Sequence, residues 1–313
     1  MSLRRFPIRL LVAVVSLLTL GAAGADTESP RIEVRRVAPG VYVHSGAYEQ
    51  SSPANGGDIA NIGFVVGQRC VAVIDTGGSR AVGRGLREAV RRKTEKPVCY
   101  VINTHMHPDH VLGNAAFLED DPVFIAHHRL SRALAARQSS YRQSQGDALG
   151  RAVAEDWFVY PEETVSDRRR LRLGGRSLLL EARPTAHTSN DLTVLDERTG
   201  TWWLGDLLFV ERMPTLDGSL TGWLDLLGRL KERRVERVVP GHGPASVAWP
   251  EAGRPLARYL ENLRRRTRAA LDQGKSLAEA LAAAERRANE QWVLFRQVHP
   301  RNVTKAYAEL EWK

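Results

Sequence analysis

At 313 residues, with 43% hydrophobic and 26% charged side chains, the chain is long enough and apolar enough to bury a core of its own. That balance excludes a disordered tail, a collagen-like fibre and a multi-span membrane protein, and two cysteines are too few for a disulfide-built scaffold or a four-cysteine zinc fold. The net charge of +9 invites a nucleic-acid reading, but three of the arginines behind it fall in the first 25 residues.

Those residues have the layout of a secretory signal peptide. Arg4, Arg5 and Arg9 make a positive segment, residues 10–20 an apolar one, and Ala23-Gly24-Ala25 a small-residue cleavage site. The apolar run is short for a hydrocarbon core of roughly 30 Å, so no stable membrane span is expected after cleavage. The mature chain, at +6, is expected in a bacterial periplasm. Its basic clusters, Arg91-Arg92-Lys93, Arg168-Arg169-Arg170 and Arg264-Arg265-Arg266, lack interleaved aromatics. They read as solvated faces, and no nucleic-acid partner is expected.

After the leader, strands are predicted at 32–37 and 41–45 about the Pro39-Gly40 turn, followed by a polar loop over 46–58. A second pair is predicted at 59–66 and 70–74, closed by Asp75-Thr76-Gly77-Gly78. A helix follows over 80–92, with Leu86 and Val90 at i, i+4, and Pro97 precedes a short apolar strand at 98–103. Strand, helix and strand are the parts of a βαβ unit, whose ligands sit beyond the carboxyl ends of the strands. The segment at that end is Thr104-His105-Met106-His107-Pro108-Asp109-His110. A short helix over 110–118, a strand at 123–126 and a long helix near 128–148 come next, while 150–170 shows no regular pattern.

The second half repeats the theme, with strands at 171–173, 177–182, 191–196 and 201–205, the last ending in Asp206. A helix near 219–233 and a strand at 235–239 lead to Pro240-Gly241-His242-Gly243. Each half thus has a strand ending in Asp, a helix, and a strand ending in His, with Asp75 and His105 30 residues apart and Asp206 and His242 36. Two related halves facing one another are expected. Beyond residue 250 the chain is expected to be helical, with Pro255 at a first helical position and Leu256, Tyr259, Leu260 and Leu263 on one stripe. Gly274 ends that helix, and Ser276-Leu277-Ala278-Glu279 opens another with a capping-box pattern.

Three of the nine histidines fall within six residues, in the pattern H-x-H-x-D-H. Where a strand runs on into a loop, i and i+2 project to one side, so His105 and His107 can grip one ion. Asp109 and His110 lie a step further on and can face a second. Imidazole nitrogen and carboxylate oxygen are the expected zinc ligands where thiolate is absent. His187, Asp206 and His242 add three candidates at strand ends or loops, and a carboxylate such as Asp206 can bridge two cations roughly 3.5–4 Å apart. Cys70 and Cys99 each lie five residues before a strand-end motif. If their strands are level parallel neighbours, the sulfurs meet in a disulfide; two buried free thiols are the alternative.

Taken in order over residues 32–247, Thr104 to His110, Ala186-His187-Thr188, Leu204-Gly205-Asp206 and Pro240-Gly241-His242-Gly243 resemble the metallo-β-lactamase superfamily. The resemblance implies an α/β fold, an αββα sandwich over residues 26–250 with metals at one edge between two sheets. Residues 251–313 would be a helical C-terminal extension docked on it. It implies a first zinc on His105, His107 and His187, a second on Asp109, His110 and His242, and Asp206 between them. Two Zn2+ are therefore the expected cofactors, with iron as the alternative. Asp75 is implied as a brace for the metal loop, and Asn114 and Asp191 are read as further loop braces.

Asp206 stands where the cysteine-containing lactamases place a thiolate and fits the glyoxalase-type hydrolases instead. Residues 201–230, with Trp202-Trp203-Leu204-Gly205-Asp206-Leu207-Leu208-Phe209-Val210-Glu211-Arg212, resemble exported zinc metallohydrolases associated with quinoprotein alcohol dehydrogenase systems. That implies a quinoprotein dehydrogenase partner. The expected reaction is binuclear zinc hydrolysis of a small carbonyl compound (ester, thioester, lactone or amide), with Asp109 orienting the nucleophile and shuttling its proton. Candidate substrate contacts are Tyr48 and a cationic Arg212. The rival readings are β-lactam hydrolysis, a mononuclear iron persulfide oxygenase, and a dehydrogenase partner whose metal is structural.

Overall fold

The computed structural model describes residues 29–285 and 292–312, so the leader expected at 1–25 lies outside the described residues. A seven-stranded sheet holds β1 (Arg35–Ala38), β2 (Val41–His44), β3 (Ile62–Val66), β4 (Val71–Ile74), β5 (Val98–Ile102), β6 (Val123–His127) and β7 (Glu163–Val165) in chain order. It is antiparallel through β4 and parallel from there on. A five-stranded sheet has β8 (Arg168–Arg172), β9 (Ser177–Ala182), β10 (Leu192–Asp196), β11 (Thr201–Phe209) and β12 (Arg237–His242) in the order β12-β11-β10-β9-β8. Only β11 and β12 are parallel there. The parallel pairs β4–β5 and β11–β12 are the two Asp-to-His units read from the sequence.

Helices α1 (Arg80–Lys93), α2 (Pro108–Val111), α3 (Leu130–Leu149), α4 (Leu220–Leu230), α5 (Arg254–Asp272), α6 (Leu277–Glu285) and α7 (Phe295–Glu311) complete the chain. Side-chain alternation along the strands builds the layers. In β4, Ala72 and Ile74 join Leu180, Val194 and Trp203 between the sheets, while Val71 and Val73 meet Val82, Leu86 and Val90 of α1. In β11, Trp203 faces the inter-sheet core, whereas Trp202 and Leu204 pack with Trp223 of α4, Leu260 of α5 and Ala306 of α7. Both faces of each sheet are thus covered, which is why these strands read as unbroken apolar runs. The architecture is the expected αββα sandwich, and α5 and α7 lie on the outer layer beside α4. Among the described residues no helix is long and apolar enough to cross a membrane.

Several expected boundaries move. The first strand begins at Arg35, the third at Ile62, and the short helix after the histidines starts at Pro108 and continues as a 3-10 segment over Asn114–Asp120. The unplaced region 150–170 holds a 3-10 turn at Glu155–Trp157 and then β7 and β8, where the chain crosses from one sheet to the other. Strands as short as the three residues of β7 leave no periodic signal. Asp206 does not end its strand: β11 runs on to Phe209. Gly205 takes φ +53°, and a Cβ there would come within 2.8 Å of the Thr104 side chain, so the strand bends at this residue and resumes.

The basic clusters are partly counterpaired. Arg168 bonds to Glu181, Arg169 to Glu163, Arg170 to Glu197 and Arg264 to Glu261.

Cys70 and Cys99 are joined in a disulfide with Cα atoms 5.8 Å apart, so the free-thiol alternative falls away. Its strands pair in parallel with Val71 opposite Val98 and Ala72 opposite Tyr100, which leaves Cys99 in a bulge beside the start of β4. Thiol titration of the denatured, unreduced protein is expected to find no free sulfhydryl. Loop-closure entropy over the 29-residue separation puts the loss on reduction at roughly 3–4 kcal/mol, measurable as a lower denaturant midpoint.

Candidate metal centre

Beyond the carboxyl end of β5 the chain turns through Asn103 and Thr104 to His105, and His107 caps α2, whose first turn carries Asp109 and His110. The second half supplies His187 from the β9–β10 connection, Asp206 from the bend of β11, and His242 as the last residue of β12. These seven side chains fall into two groups. His105, His107, His187 and Asp206 have one ligand atom each within 4.8 Å of the others, and so do Asp109, His110 and His242. Asp206 belongs to both by contact. Its Oδ2 lies 3.6 Å from His105 Nε2 and 3.3 Å from His187 Nε2, and its Oδ1 lies 3.2 Å from His110 Nε2 and 3.4 Å from His242 Nε2. Gly241 leaves room for that carboxylate, because a Cβ there would sit 1.9 Å from Asp206 Oδ1.

The outer atoms of the imidazoles are all engaged. His110 Nδ1 donates to Asp75 Oδ2 at 2.8 Å, His105 Nδ1 meets the Thr104 hydroxyl at 3.0 Å, and His187 Nδ1 donates to the Thr215 carbonyl at 2.7 Å. His242 Nδ1 donates to the Ile59 carbonyl at 2.7 Å, and His107 Nε2 donates to Asp217 Oδ2 at 3.2 Å. With the proton on the outer nitrogen, the inner one presents a lone pair. His187 Nε2 and His107 Nδ1 then face each other lone pair to lone pair at 3.0 Å, and His110 Nε2 faces a carboxylate oxygen. His105 Nε2, His110 Nε2 and Asp206 Oδ1 are buried without a hydrogen-bond partner.

Such a set is self-repelling until a cation sits within it. A tetrahedral zinc at about 2.0–2.1 Å from its ligands has ligand-to-ligand edges of roughly 3.3–3.4 Å, and the contacts here bracket that length. The residues fit a metal. Burial, with His110 beside it, holds His105 well below the ordinary imidazole range, and burial brings His187 down to about 3. Burial opposes a charge on His110 too, yet Asp206, Asp109 and Asp75 outweigh it and draw positive charge toward that ring.

The supporting residues divide more finely than expected. Asp75 accepts from the Thr104 backbone N–H at 2.8 Å and hydroxyl at 2.7 Å as well as from His110, so it braces the loop and orients the His110 ring together. Asn114 makes a reciprocal pair with Asn103 and accepts from the Thr76 hydroxyl, which fixes the loop backbone rather than a side chain of the cluster. Asp191 holds Thr188 through its N–H and hydroxyl. His44 pairs with Asp58 in the connection before Ile59. The Tyr48 hydroxyl leans on Glu211, and burial and that carboxylate push it up to about 12. Arg212 is 9% exposed and lies against His242, and its Nε is unpartnered while NH2 donates to the Glu49 carbonyl at 3.2 Å.

Other residues carried no signal in the sequence. Asp217 joins His107 to Arg137 of α3, 110 and 80 residues away in the chain. On α3, Arg137, Tyr141 and Gln145 recur at i, i+4 and i+8, one face of the helix. The Tyr141 hydroxyl and Gln145 Oε1 are buried without a well-aligned hydrogen bond, the phenol beside the Arg137 guanidinium, and burial holds it well above its ordinary value. A helix with so little apolar stripe offered no reason to single these residues out.

Residues 55–242, more than half of the chain, match the metallo-β-lactamase superfamily, and the chain belongs to that superfamily. Its structural neighbours include a metallo-β-lactamase from Pontibacter korlensis, 20% identical over 74% of this chain and 99% of that one, with a TM-score of 0.58. The metallo-β-lactamase FIM-1 from Pseudomonas aeruginosa, solved in its mono-zinc form, is 18% identical over 75% of this chain and 98% of its own, with a TM-score of 0.56. The stereoselective inverting sec-alkylsulfatase Pisa1 from Pseudomonas sp. is 16% identical over 88% of this chain and 50% of its own, with a TM-score of 0.66. At such identities the likeness is one of fold. No curated protein matches the chain.

Asp75→Asn keeps the shape of the brace but removes the charge that His110 and Thr104 lean on. Metal affinity at the Asp109, His110 and His242 group is expected to fall about 10–100-fold, read by metal titration. Burial opposes a charge on His44, but Asp58 at 2.8 Å outweighs it and raises the imidazole above its ordinary 6.5. The pair's stabilisation is therefore full below about pH 6.5 and is lost as pH climbs through the raised value. A stability-against-pH profile is expected to lose that step in His44→Gln.

Proposed function

We propose that the chain is an exported binuclear zinc hydrolase of a small carbonyl compound: an ester, thioester, lactone or amide. The carrying observation is the pair of ligand groups that share Asp206, each with its inner lone pairs unsatisfied and its outer atoms fixed. His105, His107, His187 and Asp206 would hold one ion, and Asp109, His110, His242 and Asp206 the other. Two zinc ions supply Lewis acidity to polarise a carbonyl and make water nucleophilic near neutral pH.

The chain's own residues do the rest. Asp109 is more open to solvent than the other carboxylate of the cluster, with 17% of its side chain exposed against 4% for Asp206. It orients the attacking water and takes its proton. Arg212, within reach of the charges on Asp109 and Asp206, holds an anionic group of the substrate. Tyr141, kept protonated by burial, donates a hydrogen bond from the α3 side. The Cys70–Cys99 disulfide suits an oxidising compartment and supports the periplasmic reading of the leader. The likeness of residues 201–212 supports association with a quinoprotein dehydrogenase.

β-Lactam hydrolysis draws no particular support from the site, since both cysteines are tied up in the disulfide and Asp206 holds the shared position. An iron oxygenase would need one ligand group and leave the other idle.

The test is metal content of residues 26–313, purified without chelator or added metal, followed by a panel of esters, thioesters, lactones, β-lactams and sulfate esters. Two zincs per chain with turnover of an acyl substrate is the expected result; a single iron with oxygen uptake would overturn it. Arg212→Ala is expected to raise KM for carboxylate-bearing substrates by roughly tenfold or more over neutral analogues, the size of a lost charged hydrogen bond. Tyr141→Phe is expected to lower kcat/KM by about tenfold with metal content unchanged.

A further inference from the structure

The loop 213–219 touches two histidines that the first ligand group draws from opposite halves of the chain. The Thr215 carbonyl accepts from His187 Nδ1 at 2.7 Å, and Asp217 Oδ2 accepts from His107 Nε2 at 3.2 Å. In return the backbone N–H groups of Asp217 and Gly218 donate to the His187 carbonyl at 3.1 and 2.6 Å.

The anchors of this loop come from the C-terminal helices. Asn302 on α7 is fully buried. Its Nδ2 donates to the Pro214 carbonyl at 2.6 Å and its Oδ1 accepts from the Leu216 N–H at 2.9 Å, so one side chain clamps the backbone on both sides of Thr215. The same Nδ2 donates to the Tyr259 hydroxyl on α5 at 2.9 Å, and that hydroxyl meets His299 Nδ1 at 2.9 Å. Two turns on, Glu309 accepts from the Leu220 N–H at 2.6 Å and from the Ser219 hydroxyl at 2.9 Å, fixing the far end of the loop. Apolar packing of α7 is already supplied by Val303, Ala306 and Leu310. A buried amide with three directed bonds adds what packing lacks, a defined position for the backbone it holds.

We propose that α5 and α7 are the outer support of the first metal position, and that Asn302 is a positioning residue for His107 and His187. The proposal rests on the reading of the cluster as a metal centre. The outer nitrogens of the other group are held elsewhere, His110 by Asp75 and His242 by the Ile59 carbonyl with Arg212 beside it. A fault at Asn302 therefore reaches one metal position and spares the other, which a general loss of stability does not.

The experiment compares the full chain with Asn302→Ala and Asn302→Asp by competing zinc away with a chromophoric chelator, with thermal unfolding of the metal-free proteins in parallel. Asp keeps the acceptor for Leu216 but sets an oxygen against the Pro214 carbonyl. Both variants are expected to hold one zinc as tightly as the parent and the other about tenfold more weakly, the lower end of the effect of an outer partner. Combined with Asp75→Asn, Asn302→Ala is expected to leave neither ion tightly held. Glu309→Gln, at the less buried end of the loop, repeats the measurement if the buried substitutions unfold the chain. Two unchanged affinities, or an equal loss at both positions, would overturn the proposal while the metal reading stands. A well-folded parent that binds no metal would overturn that reading and the proposal with it.

Discussion

Asp206 turns one oxygen toward His105 and His187 and the other toward His110 and His242. Where the imidazoles are neutral with the proton on the outer nitrogen, each of those contacts sets one lone pair against another; charge drawn to His110 relieves only one of them. Unmet, a buried donor or acceptor costs about 1–3 kcal/mol, so the arrangement opposes folding unless a cation joins it. The surroundings are built to hold it closed anyway. Asp75, Thr104, Thr215, Asp217 and the Ile59 carbonyl each take the outer nitrogen of one ring, which settles which nitrogen keeps its proton and where the other points. Gly241 yields the space that the carboxylate occupies, and the bend at Gly205 clears the Thr104 side chain.

Neither half of the chain has a complete set. The first group takes His105 and His107 from the end of the seven-stranded sheet and His187 and Asp206 from the five-stranded one, and the second group is mixed likewise. The sheets are tied directly beside it. The Leu192 N–H donates to the Thr104 carbonyl at 2.7 Å, the Asn61 N–H to the Gly241 carbonyl at 2.7 Å, and Asn61 Nδ2 to the Pro240 carbonyl at 2.9 Å. These bonds tie the two edges that bear the cluster to each other, so the spacing of the groups belongs to the fold.

The residues of the converging cluster were legible because they crowd together in sequence or sit where strands run out, and both features come from local chemistry. His105, His107, Asp109 and His110 declare themselves within six residues. The alternation that buries β4 and β11 on both faces likewise gave away the sandwich. Asp217, Asn302 and Tyr141 could not be read that way. Each is a common residue on an ordinary loop or helix, and its meaning lies in a partner brought from 43 to 110 residues away in the cases where the partner is bonded. Asp206 shows the intermediate case. Its identity as a shared carboxylate was apparent, but its place inside a bent strand depends on Gly205 meeting Thr104 across the sheets.

The position of Asn302 and Glu309 in chain order has a consequence for maturation. All seven converging side chains have been made once residue 242 is complete, but the carbonyl of Pro214 and the N–H groups of Leu216 and Leu220 get their side-chain partners only from residues 302 and 309. The clamp is therefore the last part of the cluster's frame to be made, so a chain still in synthesis carries the seven converging side chains without the bonds that hold residues 213–219.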